Sequence, residues 1–443
     1  MSSASVNPDN QSAFKRGTGG RSSFNGVVAT VFGATGYLGR TLMPKLGKIG
    51  TQVIVPYRDD EYRIMPLKVC GDLGQILFSP FHLRDEESLY KVMKYSNVVI
   101  NIINKPQETP NFTYNDVHVE GSRRIARIAK ECGVKRLIHC SIMNASPDPP
   151  AVIMPKGSDY IRSKVKIFSP SLPLFFFFCY LYLTHVEEAP QQAPQPRADF
   201  YRARFQVGEQ PSDTGDHVAE VVQWYGEQAV LEEFPEATIF RPCWSYGLER
   251  GLFAYYMSRW RRFHYTIYLW NKGKGIYKYP LFVSDLAQGI VNASLDPSSA
   301  GKIYQAMGPH RYELNEMVNY IFNLVVHPYQ IPMAYSIKDL RRAYHYCFNV
   351  TILSCMSRMI VKMHETVSTR GGVVSWDKLE VEHSTEEYDP NLPTLLDLGV
   401  KLTSIEDRFM FESKFYRPWV GYEPEFGEID MDQVPLPKRA PFY

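Results

Sequence analysis

The stretch VATVFGATGYLGRTL, residues 28–42, constrains this chain more than any other. An apolar, β-branched run leads into Gly33, Gly36 and Gly39 at a G-x-x-G-x-x-G spacing, and a helix-forming run follows. Strand, glycine turn and helix in that order form the opening of a nucleotide-binding βα unit. The first glycine permits a sharp exit from the strand. The second, having no Cβ, lets a pyrophosphate approach the main chain, and the third lets the helix pack closely on the sheet. The start of the helix then offers N–H groups and a partial positive charge to phosphates.

The pattern repeats downstream. TQVIVPYR (51–58), ILFSPFHL (76–83), NVVINII (97–103) and VKRLIHCSI (134–142) read as strands. TLMPKLGKIG (41–50), ESLYKVMKYS (87–96) and VEGSRRIARIAKECG (119–133) read as the helices between them. Apolar strands alternating with helices predict a parallel sheet covered on both faces. The predicted class is α/β: a Rossmann-like, doubly wound parallel sheet, with a smaller C-terminal α+β region. Residues 1–24, rich in Ser and Gly, read as a flexible leader, either a mitochondrial presequence remnant or a disordered segment. Residues 25–164 form the dinucleotide-binding domain and 165–220 an insertion. Residues 221–308 complete the fold with the helix WYGEQAVLEEF, the strand ATIFRP and the strand–helix block PLFVSDLAQGIVNASLDP. Residues 309–443 read as a partner-facing region, with helices in MVNYIFNLVV and across 340–367, the latter suited to a membrane interface, to partner subunits or to an ordinary core.

Charge excludes one class of function. Forty-nine basic residues against 47 acidic ones leave a net charge of +2 with no basic stripe, so a nucleic-acid partner is not expected. The seven cysteines are odd in number and contain no C-x-x-C pair, which argues against a disulfide framework and a zinc site and fits a reducing compartment. The most apolar run, LPLFFFFCYLYL (172–183), is shorter than the roughly 20 residues that span a bilayer.

Further residues carry candidate chemistry. Arg58 stands at the end of the second strand, where an arginine pairs with a 2′-phosphate and favours NADP over NAD. Asp59 and Asp60, next in sequence, have the opposite preference. Ser141 lies at the carboxyl end of the fifth strand, the edge at which such sheets bind ligands. Beyond it, SDYIRSK places Tyr160 and Lys164 four residues apart, on one face if the segment is helical. A lysine ammonium beside a phenol lowers its pKa, and a serine hydroxyl can orient a carbonyl, as in nicotinamide-dependent reduction.

With these residues in view, the first 164 resemble an atypical short-chain dehydrogenase/reductase. A narrower resemblance lies in GGRSSFNGVVATVFGATGYLGR, VPYRDDEYRIMPLKVCGDLGQILF, LRDEESL, SNVVINII, VKRLIHCSIMNA, GEQAVLEEFPEATIFRP, VSDLAQGIVNASLDP, GKIYQAMGPHRYELNEMVNYI and LPTLLDLGV. Together these resemble the nucleotide-binding, short-chain-dehydrogenase-like accessory subunit of mitochondrial respiratory complex I. The resemblance implies a non-catalytic subunit on the matrix side of the inner membrane, near the junction of matrix and membrane arms. It would hold NADPH tightly, with FAD less expected, and would support assembly and stability. Its partners would be other complex I subunits, with contact to the inner-membrane surface allowed. By the same resemblance Gly33, Thr35, Gly36, Tyr37, Leu38 and Gly39 hold the dinucleotide, and Arg58 faces the 2′-phosphate. Ser141, Tyr160 and Lys164 lie beside the nicotinamide or its ribose. The alternative is an active NADP-dependent reductase in which Ser141, Tyr160 and Lys164 are catalytic.

Three features depart from that pattern. His82 stands where the family usually has an aspartate near the adenine. RPCWSYG (241–247) replaces a more polar phrase on the substrate side. The third is the insertion, where the family passes almost directly from the lysine to the G-E helix. Val165 (codons beginning GT), the Phe and Leu runs and the Phe-Gln of RFQ (encodable as TTTCAG) have the character of a translated intron, the alternative being a lineage-specific loop. Sequencing spliced transcripts across Lys164 separates them: a mature message encoding all of Phe168 to Gln206 would refute the intron reading.

Overall fold

The computed structural model describes residues 15–58, 61–105, 111–145, 152, 222–247, 250–257, 269, 273–325, 376–413, 416 and 436–441. The insertion, Tyr160, Lys164 and the helix expected across 340–367 lie outside them.

The centre is a parallel sheet of β1 (Val28–Phe32), β2 (Gln52–Tyr57), β3 (Ile76–Pro80), β4 (Val98–Asn101), β5 (Arg136–Cys140), β6 (Thr238–Pro242) and β11 (Ile303–Ala306), in the order β11-β6-β5-β4-β1-β2-β3. Every neighbouring pair is parallel. The order reverses between β1 and β4, and ligands of doubly wound sheets bind at such a switch point.

Side-chain alternation along β1 explains why both faces are covered. Ala29 and Val31 join one core with Leu42, Met43 and Leu46 of α1 (Tyr37–Lys48) and with Leu286, Ile290 and Val291 of the later helix Val283–Leu295. Val28 and Phe32 join the other with Leu89 and Val92 of Glu86–Met93, Ile125 and Ala129 of Glu120–Glu131, and Val230 of Val222–Glu233. The helix at 120–131 is preceded by a π-helical turn, Asn115–Val119. β3, at the edge, is the least buried of the first four strands.

A second, aromatic core lies in the C-terminal part of the chain. Tyr246, Phe253, Tyr256, Tyr312, Tyr320 and Phe409 fill it, and Phe409 meets Tyr246 edge-on at 5.0 Å and stacks with Tyr320 at 5.9 Å. Small sheets border it: β7 (Ser245–Gly247) between β8 (Arg250–Gly251) and β10 (Leu281–Phe282), and β12 (Arg311–Glu313) between β9 (Tyr277–Lys278) and β13 (Arg439–Ala440). Of the stretch read as a leader, residues 15–24 form a bridged loop, in which Arg16 and Phe24 exchange main-chain hydrogen bonds and Arg21 donates to the Val69 carbonyl at 2.8 Å. Among the described residues no helix is long and apolar enough to cross a membrane.

Candidate functional site

The three glycines have three different physical reasons. Gly33 follows β1 with φ of +85°, and a Cβ there would lie 2.9 Å from the Ile102 carbonyl oxygen just beyond β4. Gly36 is exposed, and its N–H donates to the Gly33 carbonyl at 2.9 Å, closing the turn. Gly39 is buried, and a Cβ there would sit 2.3 Å from the Ala34 carbonyl oxygen. The third glycine therefore brings α1 against the turn itself, a closer approach than the packing on the sheet expected from the sequence.

Gly36 caps α1 with no side-chain hydrogen bond, and no acidic residue lies in the first turn. Glycine has no side chain with which to cap the first amides, so among the described residues they are open to an anion, and no acidic residue in the first turn opposes its charge. Thr35 is half-buried and its carbonyl accepts from Arg40 Nε at 3.3 Å, while Leu38 packs on the edge of the α1-side core. Tyr37 reaches away, its hydroxyl donating to the Gly247 carbonyl at 2.9 Å.

Arg58 is exposed immediately after β2, next to the end of β1. Ser141 follows β5, and its N–H donates to the Phe240 carbonyl at 2.8 Å. Its side chain is buried, and its Oγ has no hydrogen-bond partner among the described residues. A buried hydroxyl without a partner carries a desolvation cost that a ligand group could remove. The exposed turn with its bare amides and this hydroxyl at the same edge both suit a dinucleotide. Tyr160 and Lys164, outside the described residues, are not placed with Ser141.

The departures in sequence have local structural roles. His82 is exposed beyond β3, and its Nδ1 accepts from the Arg84 N–H at 3.3 Å. Phe112 lies beside it, with the Arg84 guanidinium 4.5 Å above the Phe112 ring. Within RPCWSYG, Arg241 forms a fork with buried Glu227, at 2.6 Å and 3.1 Å. The Trp244 N–H donates to Glu386, which also accepts from the Tyr279 N–H. Lys278, wholly buried, donates to the Val381 carbonyl at 2.9 Å and stands 3.6 Å from Glu386. Burial, with the Glu386 carboxylate second, pushes the Cys243 thiol up.

One polar network supports the turn and was not anticipated from the sequence. Asn101 and His139 are paired in register at the ends of β4 and β5. Asn101 Oδ1 accepts from the Ile103 N–H at 3.2 Å, so its amide donates to Ser122 Oγ and to His139 Nδ1, each at 3.3 Å. The Ile102–Ile103 segment held in this way is the wall against which Gly33 turns. Burial, joined by the positive charge of His118, lowers the His139 pKa to about 4. Burial likewise lowers His118 to about 4, with the nearby Lys105 charge acting in the same direction. The glycine spacing had a local signal, whereas Asn101 and His139 are linked through tertiary structure alone.

Residues 27–184 match the NmrA-like family. Over 394 residues the chain is 34% identical to mouse (Mus musculus) NADH dehydrogenase (ubiquinone) 1 alpha subcomplex subunit 9, mitochondrial, covering 88% of this chain and 80% of that one. It is 33% identical over 315 residues to the Arabidopsis thaliana protein of the same name, covering 70% of this chain and 61% of that one. It is 28% identical over 411 residues to the Neurospora crassa NADH-ubiquinone oxidoreductase 40 kDa subunit, mitochondrial, covering 92% and 84%. With about a third of the aligned residues identical to the mouse subunit along most of both chains, this protein belongs to the family of NADH dehydrogenase (ubiquinone) 1 alpha subcomplex subunit 9.

Proposed function

We propose that the chain is an accessory, non-catalytic subunit of mitochondrial NADH:ubiquinone oxidoreductase that holds NADPH as a fixed part of its fold. It acts on the matrix side of the inner membrane, supporting assembly and stability of the matrix arm near its junction with the membrane arm. The observation that carries this reading is the kinship along most of both chains with the mouse subunit, joined to a glycine turn whose amides are free of side-chain caps. A ligand that binds only the folded state stabilises it by about 4 kcal/mol at a thousand times its dissociation constant. A tightly held nucleotide is therefore useful without turnover. Co-migration of the polypeptide with NADH-oxidising activity on a native gel tests the assignment. Migration only as free chain, in mitochondria whose complex is intact, would overturn it.

The preference for NADPH over NADH is assigned to Arg58. Arg58→Ala is expected to weaken NADPH binding about ten-fold, the worth of one charge-assisted hydrogen bond to a phosphate, and to leave NADH binding unchanged. Equal losses for both nucleotides would remove Arg58 from the 2′-phosphate.

The buried hydroxyl of Ser141 favours a second reading, an active NADP-dependent reductase using Ser141, Tyr160 and Lys164. Oxidation of NADPH by added carbonyl compounds, abolished in Tyr160→Phe, would establish it; no turnover above the rate without protein would exclude it.

A further inference from the structure

We propose that Tyr37 is a positioning residue whose hydroxyl ties the diphosphate-binding turn to the aromatic C-terminal core, so that nucleotide binding and the packing around β7 and β8 stabilise one another. The proposal rests on the nucleotide reading above.

Tyr37 is the first residue of α1, one position beyond the exposed Gly36. Its ring leaves the turn and its hydroxyl donates to the carbonyl of Gly247, far away in sequence. The receiving side is shaped around that hydroxyl. Gly251 has φ of +79°, and a Cβ there would lie 2.9 Å from Tyr37 Oη and 2.4 Å from the Ser245 carbonyl oxygen. Gly247 has φ of +124°, and a Cβ there would meet the Phe282 ring at 2.9 Å. Both glycines of the β7–β8 pair are thus required by close approach as well as by backbone conformation. Burial, then the Glu412 carboxylate, raise the Tyr37 phenol well above its ordinary range, so it remains a donor.

From Gly247 the connection runs into the second core. Its neighbour Tyr246 is wholly buried, donates to the Thr403 carbonyl at 3.1 Å and packs against Phe409 and Phe282. A ligand that fixes the first turn of α1 fixes the origin of the Tyr37 side chain. Order around Gly247 in turn holds α1 where its amides face the diphosphate. Such coupling is reciprocal.

The test is hydrogen–deuterium exchange on the full chain with and without NADPH, alongside NADPH titration. In the wild type, NADPH should slow exchange at residues 33–41 and also at 245–247 and 250–257. In Tyr37→Phe, binding should weaken about five-fold, the loss of one hydrogen bond, with protection kept at 33–41 and lost at 245–257. A purely structural tyrosine would speed exchange equally with and without nucleotide. A second variant, Phe409→Leu, changes a wholly buried residue of the aromatic core and should weaken NADPH binding about two-fold through the same link. Wild-type exchange at 245–257 that ignores bound NADPH overturns the coupling alone, as does wild-type protection in Tyr37→Phe or unchanged affinity in Phe409→Leu. Failure of the wild type to take up NADPH overturns the nucleotide reading, and the coupling with it.

Discussion

Gly39→Ala is expected to abolish nucleotide uptake and to destabilise the protein severely. The added methyl would lie 2.3 Å from the Ala34 carbonyl oxygen, a main-chain atom with no freedom to rotate away. Either α1 moves off the turn or the turn opens. Overpacking a rigid site costs about 1–3 kcal/mol, and the backbone contact places this variant at the upper end. Displacing α1 also misaligns its amides, so affinity should fall at least about a hundred-fold, equivalent to nearly 3 kcal/mol. Gly36→Ala separates the two effects. Gly36 has φ of −75°, and its added methyl would meet only the Gly33 carbonyl oxygen, at 3.1 Å. Its melting temperature should stay close to that of the wild-type apoprotein while NADPH binding is lost, because under the proposed function the methyl would stand where the diphosphate is to lie. Normal binding by Gly36→Ala would mean that the phosphates lie elsewhere.

The second large effect is acid destabilisation centred on His118 and His139. Both are buried, and both titrate near 4 in the folded chain against about 6.5 in an unfolded one. A histidine with a lowered folded pKa contributes its full stability above the unfolded value and loses it as pH falls toward the folded one. Between pH 6.5 and 4 the unfolded chain binds the extra protons, so stability decreases on acidification. The expected loss is about 2 kcal/mol per histidine at pH 5, rising to about 3 at pH 4. The structural consequence falls on the glycine turn. A proton on His139 Nδ1 would oppose the Asn101 amide, whose carbonyl holds Ile103 and with it the wall behind Gly33. Thermal unfolding followed from pH 7.5 to 5 should show the decline, and His139→Gln should flatten it. A slope unchanged by that substitution, or an imidazolium signal from His139 in the folded chain at pH 6, would contradict the account.

Most of the sheet is legible in the sequence because parallel strands covered on both faces are written as short, nearly continuous apolar runs. VATVF, QVIVPY and VVIN are such runs, and each is a strand where the pattern places it. The glycine spacing is equally readable, since each glycine answers a local demand of turn or contact. β11 is harder: only four residues long, it pairs with β6 alone among the seven strands, and its IYQA is no more apolar than many loops. The π-helical turn at 115–119 has no periodic signature separating it from the helix it precedes. The polar pairs were out of reach for another reason. Glu227 with Arg241, Lys278 with Glu386, Asn101 with His139 and Tyr37 with Gly247 are made by the fold. Each looks like an ordinary residue until topology sets its partner beside it. Ser141 lies between these cases: the rule that ligands gather at the carboxyl ends of the strands finds its position, and the structure adds that its hydroxyl is buried without a partner.

The most direct measurement denatures the purified chain and identifies any released nucleotide by chromatography and mass spectrometry. The account predicts one NADPH for each wild-type chain and none from Gly39→Ala. A folded wild-type chain that releases no dinucleotide, and takes none up from millimolar NADPH, would contradict it.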